Sequence, residues 1–113
     1  MGSISERDWK YLRRIKDDLL ATLCAHINRQ AQEILQRPHV AEAEKYRQLY
    51  RHMEASDQIV AECFDDWRRS TMWITVRILA GHGLLQSEHI RHLTEGAQAL
   101  VADCELPESR GVG

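Results

Sequence analysis

Residues 65–85 read DDWRRSTMWITVRILAGHGLL, and the path of this stretch decides the fold. It continues a long segment without helix breakers. From Ser3 to Ala80 the chain has no glycine and a single proline, Pro38. Glycine and proline are the strongest interruptions of a helical pattern. The segment therefore reads as two long helices joined at Pro38.

The first helix has its own start signal. Ser5 is the N-cap, Asp8 completes a capping-box spacing, and Ile4 and Trp9 occupy the staple positions. Apolar residues recur at Trp9, Leu12, Ile15, Leu19, Leu23, Ile27, Ala31 and Ile34, one helical stripe. Pro38 disfavours a helical Arg37, so this helix should end near Gln36. The second helix should start near Val40 or Ala41. Its seam is Tyr46, Leu49, Met53, Ser56, Val60, Cys63 and Trp67, in alternating steps of three and four.

No stop signal follows Trp67 until Gly81-His82-Gly83. An unbroken second helix would span roughly 40 residues, about 60 Å. The run Thr71–Leu79 is rich in β-branched residues and fits a strand on propensity alone, but no turn separates it from the helix before it. A kink near 65–70 is the more natural interruption. A third helix should follow from an N-cap at Ser87, with Ile90, Leu93, Ala97, Leu100 and Val101 inward and an end near Cys104. The expected architecture is an all-α bundle of three long helices, one domain over residues 1–104, with 105–113 as a flexible tail.

Folding about Pro38 sets Leu23 level with Glu54 and Leu12 level with Asp65. Arg7, Lys10, Arg13, Arg14 and Lys16 then lie alongside Glu54, Asp57, Glu62, Asp65 and Asp66. Folding about Leu84–Leu85 brings Cys104 close to Cys63. With a straight middle helix, each cross-section holds only two helices and encloses no core. Either the middle helix breaks near 66–70, or a second copy completes the bundle. The run Met72–Leu85 is apolar nearly all round and must be covered. That favours a homodimer with Trp67, Met72, Trp73, Ile74, Ile78, Leu84 and Leu85 at its interface.

Composition narrows the function. Hydrophobic residues are 43% and charged residues 28%, which argues against wholesale disorder. A net charge of −2 gives no bulk attraction to nucleic acid or anionic membrane. No apolar run reaches the roughly 18 residues of a membrane span. Three separated cysteines suit reduced thiols, so a cytoplasmic location is expected.

His82, His89 and His92 are the weak metal candidates, at the second turn and on the third helix. No clear fourth ligand accompanies them, and no metal or cofactor is expected. Cys24 and His26 are two apart on a helix and cannot face each other. Ser56 and Asp57 are unusual on the second seam and fit a register-fixing role or a small ligand between helices. Arg13-Arg14 and Arg68-Arg69 read first as an ion-pair cluster near Trp9 and Trp67. The expectation is a non-catalytic helical interaction or regulatory module, homodimeric, with a protein partner. The alternatives are a nucleic-acid regulator using a hairpin over 67–99, and a metal- or ligand-sensing bundle.

Overall fold

The computed structural model describes residues 4–102. Ser5 caps the first helix, α1 (Glu6–Leu35), its side chain accepting from the Asp8 N–H at 3.1 Å. The helix ends before Pro38, as its sequence predicts, and His39 takes a positive φ of 62° in the turn. The second helix, α2 (Glu42–Phe64), returns antiparallel against α1. Its level matches expectation within a turn: His52 Nε2 lies 3.0 Å from the Ile27 carbonyl oxygen and donates to it. Leu12, Leu19, Leu23, Ile27 and Ile34 of α1 are buried.

The straight middle helix does not form, and the chain breaks in the expected stretch, 65–71. α2 stops at Phe64, Arg68 is extended, and Arg69–Thr71 make one 3-10 turn before α3 (Met72–Gly81). Local chemistry accounts for the break. The last turn of α2 carries no basic residue, and Asp65 and Asp66 face the negative end of the helix dipole. Trp67 then folds back. Its indole N–H donates to the Cys63 carbonyl at 2.6 Å, and its ring stacks on Phe64 at 6.0 Å. The β-branched run stays helical, and no strand occurs among the described residues.

Gly83 ends α3 as expected. It has φ 76°; its N–H reaches the Ala80 carbonyl, and Leu84 N–H reaches Leu79, the paired bonds of a Schellman stop. The stop turns Leu84 and Leu85 into the core.

The single third helix is also corrected. It is divided into α4 (Ser87–Ile90) and α5 (Glu95–Ala102). Gln86, not Ser87, caps α4, and His89 Nδ1 accepts from the Gln86 N–H at 3.0 Å. Between the two pieces, Thr94 Oγ1 accepts from the Ala97 N–H at 3.4 Å and so caps α5. The Thr94 N–H and hydroxyl themselves donate to the Asp8 carboxylate at 2.8 and 2.5 Å. A continuous helix would commit the Thr94 N–H to the Ile90 carbonyl and deny it the bond to Asp8. The extra turn shifts the hairpin register, so Arg77 meets the Leu100 carbonyl at 3.0 Å. Cys104 and the tail 105–113 lie outside the described residues.

The predicted cross-helix ion pairs do not form among the described residues. Arg7, Lys10, Arg13 and Arg14 share levels with acidic residues of α2 but lie on the exposed side of α1, and Glu54, Asp57 and Asp65 are exposed on α2. Equal level is not equal face. Of the residues in question, Lys10 pairs with Glu6, Asp66 with Arg68 and Glu62 with His82.

The result is elongated, 51 × 29 × 21 Å, with a radius of gyration of 16.4 Å; a compact chain of this length has about 13 Å.

Candidate functional site

The hairpin of α1 and α2 has two unlike sides. In antiparallel right-handed helices, positions one residue after the contact stripe, turned about 100° from it, fall on the same side of the pair. Positions one residue before it fall on the other. The α2 stripe runs Lys45, Leu49, His52, Ser56, Val60 and Cys63, all at least half-buried.

One residue before the stripes lie Tyr11, Thr22, His26 and Glu62. Each is on the side taken by the C-terminal half. Tyr11 meets the His92 ring at 5.3 Å. Thr22 and His26 share a cleft with His82, Gly83 and Leu84. Glu62 is 3.1 Å from His82 Nε2.

One residue after the stripes lie Leu20, Cys24, Leu35, Tyr46, Tyr50, Met53 and Phe64, of which Phe64, at the far end from the Pro38 turn, is buried and stacked on Trp67. Elsewhere on this side large apolar side chains stay in solvent: Leu35 is 49% exposed, Tyr46 69%, Tyr50 57% and Met53 43%. The seam inferred from the sequence had placed Tyr46 and Met53 inward. His52 and Lys45 take that role, because the histidine ring finds a carbonyl across the interface and the lysine stem packs beneath its ammonium group. Alternation of His52 with Leu49 and Ser56 was the available signal, hidden by the polarity of the side chain.

The residues predicted for a dimer interface divide. Met72 and Leu85 are fully buried within the single chain, and Leu84 is 7% exposed. Trp67, Trp73 and Ile78 are half-buried against the same core, and Ile74 is 42% exposed. The break after Phe64 is the cause, since it lets α3 fold onto α2 and α5.

The three histidine candidates have separate tasks. His82 faces Glu62, His89 caps the Gln86 N–H, and His92 packs on Tyr11. Among the described residues, no three histidine, cysteine or carboxylate side chains are grouped to hold a metal ion. Ser56 is buried on the α1-facing stripe, and Asp57 beside it is exposed. In the segment 67–99, α4 is four residues long, and the Gln98 amide donates to the Leu93 carbonyl at 2.9 Å. No described helix is long and apolar enough to cross a membrane.

Cys63 is fully buried, and burial pushes its thiol up to about 11, with Glu62 adding to the effect. Cys24 is exposed. Because the thiolate is the nucleophile, iodoacetamide at pH 8 should alkylate Cys24 in the native chain and reach Cys63 at least about tenfold more slowly. Peptide mass mapping reads the difference. Equal rates would show that Cys63 is reachable in the folded chain.

The chain matches no protein-family model, no curated protein and no solved structure.

Proposed function

We propose that this chain is a non-catalytic helical interaction module that pairs with a second copy through the bare side of the α1/α2 hairpin. The observation that carries this is the exposed apolar strip of Leu35, Tyr46, Tyr50 and Met53 opposite the side occupied by the C-terminal half. A two-helix layer buries little apolar area, and a second hairpin laid across it completes a four-helix section. The strip is a single patch on one chain, so a two-fold pairing lets it meet itself. The buried, undissociated Cys63 thiol fits a structural role better than a catalytic one.

Sedimentation equilibrium tests the pairing. At roughly 10–100 μM, where even a weak specific dimer is populated, the expected mass is twice the 13.1 kDa of the chain. Tyr50→Glu with Met53→Glu should give a folded monomer. Ile74→Glu, on the exposed part of α3, should leave the dimer intact. A wild-type monomer across that range, or a dimer lost only in Ile74→Glu, rejects this face.

A further inference from the structure

We infer that the cleft between the first turns of α1 and the α4–α5 connection binds the phosphate group of a small phosphomonoester. Glu6, Arg7, Lys10, Tyr11, Arg14 and His92 line this cleft of about 620 Å³, a volume within the usual range of small-ligand sites.

Three cations stand in register on one side. Arg7, Lys10 and Arg14 follow at three- and four-residue steps along α1, and His92 approaches from the opposite wall. Arg7 and Arg14 have no carboxylate within ion-pair distance among the described residues. Glu6, the one carboxylate lining the cleft, is held by Arg69 at 2.8 Å and by Lys10 at 3.7 Å. Arg91 adds positive charge around Tyr11, and Glu88 opposes it. The balance is positive, and the guanidinium fork matches phosphate oxygens in pairs.

The aromatic wall is built in advance. Arg14 lies over the Tyr11 ring at 5.4 Å, and His92 packs on the same ring. Burial raises the Tyr11 hydroxyl above the ordinary phenol value, so it stays a donor. The positive surface is short. Asp17 and Asp18, both exposed, occupy the next turn of α1. A nucleic-acid strand needs a longer basic track to replace its counterions, so a small ester fits better than a polymer.

Phenyl phosphate titrated into the full-length, ¹⁵N-labelled chain at low salt tests this. Saturable amide shifts are expected over residues 7–14 and 91–94, with a Kd of about 0.1–1 mM. Inorganic phosphate should shift the same residues, and phenol should not. Arg7→Gln/Arg14→Gln removes two exposed side chains and should weaken binding at least about tenfold, with helix content unchanged by circular dichroism. Arg7→Gln alone should weaken it several-fold, which covers the case of a misfolded double variant. The inference is overturned by no saturable shift up to about 10 mM, by unchanged affinity in Arg7→Gln, or by phenol binding equally well. Tighter, steeply salt-dependent binding of a thymidine decanucleotide at these residues would overturn it in favour of nucleic acid.

Discussion

Asp8→Ala should lower the unfolding free energy by about 3–5 kcal/mol, as read from urea denaturation. Asp8 is only 1% exposed, yet its carboxylate takes three hydrogen bonds. Two come from Thr94 and one from the Ser5 hydroxyl. The carboxylate therefore ties the start of α1 to the start of α5 across the whole sequence. Alanine leaves the partly buried Thr94 N–H and hydroxyl without their acceptor, and a donor abandoned away from water costs more than the bond itself contributed. Asp8→Asn should cost about half as much. Its amide oxygen can still accept from the Thr94 N–H, and the hydroxyl can turn to accept from the amide nitrogen. Thr94→Val should be non-additive with Asp8→Ala, because both remove the hydroxyl–carboxylate bond while valine keeps the N–H bond. A loss below about 1 kcal/mol for Asp8→Ala would mean that α5 is held by its apolar face alone.

Leu85→Ala should cost about 2–5 kcal/mol, by the same amount at every protein concentration. Leu85 is fully buried among the side chains of one chain. Its removal opens a cavity there, which neighbours fill only in part. A residue at a dimer interface behaves otherwise, since its loss depends on protomer concentration. Concentration-dependent destabilisation would return Leu85 to the interface that the apolar run Met72–Leu85 suggests from sequence alone.

Much of the fold was legible because it rests on local chemistry. The Ser5 cap, the stop at Pro38 and the Gly83 turn each depend on residues within a few positions of one another. A break near 65–70 was legible as the alternative to a straight middle helix, but its form was not: an indole folding back onto the Cys63 carbonyl and the Phe64 ring leaves no mark in the periodicity. Asp8 shows the limit most clearly. Its spacing from Ser5 marked a local cap, and its N–H does meet Ser5, but its carboxylate serves a partner 86 positions away. The exposed strip was misplaced for a similar reason. Tyr46 and Met53 are more apolar than Lys45 and His52, so a hydrophobicity pattern turns α2 by about one residue. The cleft at Arg7 and Arg14 was masked by charge matching along the sequence, which fixed level but not side.

The one-sided seating of the C-terminal half grades the resistance of the molecule to opening along its length. Where α3 and α5 pack on the hairpin, around the fully buried Leu12, Cys63, Val76 and Leu79, helical amides should exchange most slowly. Toward His39 only two helices shield each other's backbone, so fluctuations begin at that tip and spread inward. Any body that settles on Tyr46, Tyr50 and Met53 also damps this breathing, because it binds the closed pair and not the frayed one. The free end of the hairpin, where α1 and α2 have chiefly each other for cover, is thus the part of the described chain whose rigidity would gain most from a bound partner.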